Sequence, residues 1–263
     1  MRNGRATSLW LRGAAWALVF FAGREAAAAS VTFTATGGGL SASAKFEKFD
    51  TNLVITLTNT ATTDLTVPSQ GLTALFFDIT GSPTLTPVSA ILPPGGTIDT
   101  LHKPKDGPPF VTDDTPADGN VGGEFGYAEN HADAPGGAGY GIGSAGLGIF
   151  GGGSFNGPDL GGPGSGALNG PDFMVGPKKA SSPGDDPATY SPGRDTPIIH
   201  HAVVFTLSGF TAGVGDIYHP SFQYGTSLGE PRIPIPEPTA TLLFGCGLAA
   251  LGLWVRKRRL RTL

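Results

Sequence analysis

The stretch Asn52–Asn59, NLVITLTN, decides the fold class. Leu53, Ile55 and Leu57 alternate with Val54, Thr56 and Thr58, a period of two that gives a strand one apolar face and one largely polar face. Seven more runs of the same β-branched and aromatic character lie outward from it. Before it come Val31–Thr36 (VTFTAT) and Ser43–Phe49 (SAKFEKF). After it come Leu72–Ile79 (LTALFFDI), Thr84–Leu92 (TLTPVSAIL), Val121–Glu129 (VGGEFGYAE), Ala202–Leu207 (AVVFTL) and Asp216–Tyr224 (DIYHPSFQY). Gly, Pro, Asp and Asn separate these runs, and no amphipathic helical stretch of useful length interrupts them. The expectation is all-β: an antiparallel β-sandwich able to bury a core without cross-links.

A Gly/Pro-rich insert over 136–195 divides the two sets of strands. From Gly136 to Gly170 there are 16 glycines in 35 residues, interrupted by Tyr140, Ile142, Leu147, Ile149, Phe150 and Phe155. A flexible linker would be Gly/Ser with little else, so these apolar residues predict an ordered, irregular loop covering the sandwich, with Pro171–Asp195 as its mobile part.

The chain has 263 residues and a formal net charge of −4, from 17 Lys and Arg against 21 Asp and Glu. That figure conceals a segregation. Residues 1–29 carry +3, the last eight residues carry +5, and Ser30–Val255 holds 8 bases and 20 acids, a net of −12. An acidic middle excludes nucleic-acid binding, which needs a basic face. Only 14% of residues are charged, while 42 Gly and 23 Pro mark a loop-rich chain. A single cysteine, Cys246, excludes an intrachain disulfide and any multi-cysteine metal cluster.

The basic ends flank two apolar runs. Three arginines precede Gly13–Gly23 (GAAWALVFFAG), and the small residues Ala26–Ser30 follow. This is the order of a secretory signal helix, with cleavage in the region of Ala27, Ala28 and Ala29 and export through the Sec translocon. At the other end Thr239–Val255 (TATLLFGCGLAALGLWV) is 17 residues without a charge, at the lower limit for a transmembrane helix. Arg256, Lys257, Arg258, Arg259 and Arg261 follow at once and act as a stop-transfer cluster. Residues 1–29 are thus a signal peptide, 30–231 an exported domain, and 232–263 a membrane-targeting end with its helix at 239–255 and basic tail at 256–263.

Pro236-Glu237-Pro238 stands immediately before the second apolar run. Two prolines around an acid hold the backbone extended, open to a protease at the outer membrane surface. In this order the last 30 or so residues resemble the PEP-CTERM sorting signal of bacterial proteins. The resemblance implies that an exosortase, an integral-membrane cysteine protease and transpeptidase, recognises Pro236, Glu237 and Pro238 and removes the helix and tail. It also implies a Gram-negative-type bacterium that makes extracellular polysaccharide, and a final place on the cell surface or in a biofilm matrix. VVFTLSGF (Val203–Phe210) followed by FQYGTSLGEP (Phe222–Pro231) is similar to the terminal hairpin of many exosortase-dependent proteins. Leu72–Leu92 resembles a recurring strand module of the same group.

Candidate chemistry within the exported part is sparse. Gly141-Ile-Gly143-Ser-Ala-Gly146 and Gly146-Leu-Gly148-Ile-Phe-Gly151 match GxGxxG, but a dinucleotide site needs a strand before and a helix after, and both flanks are more glycine. Asp113, Asp114, Asp118 and Glu124 form an acidic cluster that calcium could use, though no EF-hand register fits it. His200 and His201 are adjacent and on a strand would face opposite ways, so they do not share a metal, and His102, His131 and His219 show no ligand spacing. The expectation is a non-catalytic structural or adhesive protein with no cofactor beyond calcium. The alternative is a carbohydrate-binding or glycan-active protein, which would expose an aromatic row drawn from Tyr127, Tyr140, Phe150, Phe155 and Tyr218.

Overall fold

The computed structural model describes residues 29–63, 65–102, 110–160, 168, 173–177 and 197–235. Over them the chain forms strands joined by short 3-10 turns. In order these are β1 (Ser30–Gly37), β2 (Leu40–Phe49), β3 (Asn52–Asn59), β4 (Leu72–Ile79), β5 (Thr86–Ile91), β6 (Ile98–His102) and β7 (Phe110–Asp113). They continue as β8 (Gly126–Glu129), β9 (Tyr140–Gly143), β10 (Met174–Gly176), β11 (Pro197–His200), β12 (Ala202–Ser208), β13 (Ile217–Tyr224) and β14 (Arg232–Pro234). The all-β expectation holds. Among the described residues no helix is long and apolar enough to cross a membrane, and the helices expected at 13–23 and 239–255 lie outside them.

The strands make two sheets. The first has the order β1-β2-β3-β12-β5 and is antiparallel throughout. β3 is its middle strand, with Ile55 opposite Phe46 on one side and Phe205 on the other. Leu53, Ile55 and Leu57 are buried and Val54, Thr56 and Thr58 half-buried, as their alternation requires. The β1–β2 hairpin turns on Gly38 and Gly39, at φ 59° and 81°, the two positive angles of a type I′ turn that only glycine adopts freely. The second sheet runs β14-β13-β4-β10-β11-β6-β7. β10 reaches β4 only at Leu72–Val175, so the rest of that edge of β4, from Ala74 to Phe77, pairs with β9, which in turn carries β8.

One core lies between the sheets. Phe46, Leu53, Ile55, Phe205 and Leu207 enter it from the first sheet, and Leu75, Phe77, Tyr140, Ile142, Phe222 and Tyr224 from the second. Phe46 meets Phe77 edge-on across it with ring centroids 5.2 Å apart, and Phe125 meets Phe205 at 4.9 Å, geometries that favour the aromatic quadrupoles. β4 is buried on its outer face too. Ala74 and Phe76 lie under Ala134, Ala138, Ile149, Phe150 and Leu168, which is why LTALFFDI is a continuous apolar run rather than an alternating one.

Several expectations need correction. The 136–195 insert covers the second sheet, but it also enters that sheet as β9 and β10. Gly141 and Gly143 alternate along β9 with the inward Tyr140 and Ile142, and their bare backbone seats Phe150: a Cβ on Gly143 would come within 2.4 Å of that ring. The GxGxxG match is therefore the floor of a packing layer. Val121–Glu129 is a strand only from Gly126, because Gly122–Glu124 makes a 3-10 turn whose glycines press on the Asn156 and Pro158 carbonyls. Val203–Phe210 and Phe222–Pro231 do not form a hairpin with each other. The first contributes β12 to one sheet and the second the end of β13 to the other, and the hairpin is β13–β14. The pair β10–β11 is parallel, against an all-antiparallel expectation. His200 and His201 do not share a strand: His200 ends β11, and His201, at φ 81°, turns the chain from one sheet to the other.

Candidate functional site

Both ends of the described body reach the same end of the sheets. Lys48 N–H donates to the Ala29 carbonyl at 3.2 Å, extending the β1–β2 ladder one residue back, and the 3-10 turn Val214–Asp216 packs on β1 and β2 there. That turn leads directly into β13. The Ile235 N–H donates to the Pro220 carbonyl at 3.0 Å, on the first half of β13. Val31, Phe33 and Ala35 of β1 and Ile233 and Ile235 of the C-terminal stretch are half-buried against the core. Of the processing residues expected from sequence, Ala29 alone lies among the described residues, where its carbonyl accepts the Lys48 N–H. Ala27, Ala28, Pro236, Glu237, Pro238, Arg256, Lys257, Arg258, Arg259 and Arg261 lie outside the described residues.

A polar cluster lies at this end as well. Asp78, on the outer face of β4, accepts the Gly139 N–H on Oδ1 at 2.7 Å, and His219 Nδ1 stands 3.3 Å from its Oδ2. Nearby, Glu129 Oε1 accepts both the Leu85 N–H at 2.7 Å and the Tyr127 hydroxyl at 2.6 Å, while the Tyr140 hydroxyl donates to the Pro83 carbonyl at 2.6 Å. Asn130 and His219 adopt left-handed backbone angles, φ 50° and 49°, costly for residues with a Cβ and held here by surrounding bonds. Burial, with the Glu129 bond and charge added, pushes the Tyr127 hydroxyl far above its ordinary range. Burial, then the charges of Glu129 and Asp78, pushes Tyr140 up to about 12. Tyr218, 38% exposed, packs edge-on against His219 with centroids 4.8 Å apart.

The carboxylates of this cluster accept backbone and phenol donors, so they fasten the 80–85 and 130–139 loops to the sheet. Acids elsewhere do the same. Asp113 Oδ1 accepts the Thr115 N–H at 3.0 Å, Asp118 Oδ1 the Asn120 N–H at 3.0 Å, and Asp216 Oδ2 the Gly213 N–H at 2.8 Å. Glu230 Oε2 takes the Thr226 and Ser227 amides, and the buried Glu124 takes the Leu160 amide. Apart from the Glu124–Leu160 bond, which ties together segments 36 residues apart, these are turn-closing bonds of the Asx type and its longer analogues.

The calcium candidates do not converge. Asp113, Asp114 and Asp118 each serve a different local donor, and Glu124 points inward, so among the described residues no three His, Cys, Asp or Glu side chains gather as a metal-holding group. The aromatic row does not form either. Tyr140, Phe150 and Phe155 are buried, Tyr127 is half-buried with its hydroxyl on Glu129, and Tyr218 alone of the five is exposed. The Asp78–His219 pairing was not foreseen, because the two residues are 141 positions apart and meet only through the β4–β13 register, Asp78 opposite Tyr218. The one available signal was Asp78 itself, an acid set inside the apolar run LTALFFDI.

No family model, no curated protein and no solved structure matches this chain.

Proposed function

We infer that this chain is an exported, non-catalytic surface or extracellular-matrix protein, a β-sandwich sorted and cleaved by an exosortase at Pro236-Glu237-Pro238 and structural or adhesive within a polysaccharide matrix. The observation that carries the reading is the order of the processing signals along the sequence, with the described strands between them. Among the described residues the strands run from Ser30 to Pro234, between the small-residue cleavage region and Pro236. Processing at both signals would remove the apolar helices and basic ends and leave every described strand whole. The remaining domain carries the −12 of Ser30–Val255, suited to a soluble acidic particle, and its acids that face loops are engaged in closing them. The glycan-binding alternative rests on Tyr218 alone and has no second exposed aromatic among its candidates to make a platform.

The test is to replace Pro236, Glu237 and Pro238 with alanine in a host that carries an exosortase, and to follow intact mass and location. The expected result is a chain that keeps its C-terminal helix and stays in the inner-membrane fraction, while the parent chain is shortened and reaches the outer surface. Unchanged mass and unchanged surface delivery would overturn the sorting reading.

A further inference from the structure

Among the described residues the sheets end on β1, β5, β7, β14 and, through the β9 branch, the four-residue β8 that closes on Glu129, and these edges differ in how they end. The outer edge of β5 is occupied: the Leu92 N–H reaches the Gly119 carbonyl at 2.8 Å, the Val121 N–H the Ala90 carbonyl at 2.9 Å, and the Asn156 N–H the Val88 carbonyl at 3.3 Å. β14 is three residues long, begins with Arg232 and ends with Pro234, and β7 is four residues long and ends on Asp113. Short length, charge and proline are the means by which sheet edges avoid pairing with other chains. β1 uses none of them. It has eight residues, SVTFTATG, with no charge and no proline, about 26 Å of strand, and among the described residues it pairs only with β2.

We propose that β1 is a homotypic docking edge, joining two copies of this chain through an antiparallel β1–β1 pair about a two-fold axis at Phe33. The sequence of β1 is self-complementary in that register. Residues directly opposite across an antiparallel pair point to the same face, so a two-fold axis at Phe33 sets Val31 against Ala35 of the second copy and Phe33 against its own equivalent. These three residues face the core yet stay half-buried in one copy, and a neighbouring strand would complete their cover. On the outer face the same register sets Ser30 against Thr36 and Thr32 against Thr34, hydroxyl pairs that stabilise facing strands, with no like charges to oppose them. The result is one continuous sheet of ten strands across the two copies. A single edge of this length gives a small interface, so the association is a weak one.

Disulfide trapping in the full chain tests the register. Cys246 is the only cysteine, so Cys246→Ser gives a thiol-free background. Phe33→Cys, on the axis, is expected to form dimers on mild oxidation, its facing Cα atoms lying about 4.5–5.5 Å apart. Because the core-side change could unsettle the fold, the surface variants Thr32→Cys and Thr34→Cys form the second arm. Mixed together they are expected to cross-link with each other, while each alone, set about 7–8 Å from its own copy on the diagonal, does not. Thr32→Lys with Thr34→Lys, which faces like charges across the pair, is expected to lower Phe33→Cys trapping at least about fivefold. Failure of the mixed pair to cross-link, or equal trapping of Thr34→Cys with itself, would overturn the proposal. Neither outcome bears on cleavage at Pro236–Pro238.

Discussion

β3 and β9 each lie between two partners in their sheets, and the sequence writes them differently. β3 announces itself: aliphatic residues inward, Val and Thr outward, over eight residues. β9 is YGIG in a background of glycine, and its period of two is the alternation of a large residue with no side chain at all. Tyr140 and Ile142 fill the core, while Gly141 and Gly143 leave room for Phe150, which stacks on Phe76 with ring centroids 5.9 Å apart. The neighbours follow suit, with Gly126 opposite Gly143 and Ala128 opposite Gly141 on β8. A strand with one wet face is encoded by its own polarity, whereas a strand covered on both faces is encoded by the volume its cover needs.

The largest expected effect tests the plainer strand. Ile55→Ala removes a fully buried side chain between Phe46 and Phe205 and should cost about 4 kcal/mol in urea unfolding, while Thr56→Ser on the outer face should stay within about 0.5 kcal/mol. Equal losses at the two positions would mean that the alternation does not set the faces. Next comes Gly143→Val, whose Cβ would meet the Phe150 ring at 2.4 Å and Ala74 Cβ at 3.1 Å, for a cost of about 3 kcal/mol. The contrast sharpens in a double-mutant cycle. Gly143→Ala should be relieved by Phe150→Leu, with a coupling of about 1 kcal/mol or more, and additive losses would show that Phe150 does not sit on that glycine.

The same contrast explains what the sequence made legible. The first sheet was readable almost residue by residue, and β3 and β4 carry the expected bounds, because alternation or sustained apolarity runs for eight residues there. β6, β7, β9, β10, β11 and β14 were not foreseen: each has five residues or fewer, and each is made a strand by a neighbour already in place. The parallel pairing of β10 with β11 joins residues on either side of a long Gly/Pro-rich stretch, where no local pattern points to a partner. The polar cluster was illegible for a related reason. Asp78, Glu129 and His219 lie on three separate segments that only the β4, β8, β9 and β13 registers bring to one end, and a scan for ligand spacing along the chain cannot find them. The aromatic candidates failed in the opposite sense, since Tyr140, Phe150 and Phe155 are aromatic because they are core.

A smaller effect belongs to the staples. Asp78→Ala leaves the Gly139 amide without its acceptor and should cost about 1.5 kcal/mol. The sharper readout is amide hydrogen exchange, which should accelerate at Gly139 and Asn130 while β3 amides are unchanged. Faster exchange across β3 as well would make Asp78 part of the global fold rather than a fastening of one loop.

The smallest effect is a pH dependence confined to the covered sheet. Tyr140 has an ordinary value of 10.0 and is raised to about 12, so the folded chain holds its proton over a range where the unfolded chain has released it. A group raised in this way contributes its full stabilisation below about pH 10 and loses it as pH climbs through about 12, because the folded state then binds more protons than the unfolded. Above that range the phenolate would face Glu129 and Asp78 and could no longer donate to Pro83. Tyr140→Phe should therefore lower stability at neutral pH, through the lost hydrogen bond, and flatten part of the decline between about pH 10 and 12. β3 holds no titratable side chain, so Ile55→Ala should lower the whole profile without changing its slope. A Tyr140→Phe profile parallel to that of the parent chain would place the alkaline sensitivity elsewhere, with Tyr127 and Tyr224, both raised mainly by burial, the next residues to replace.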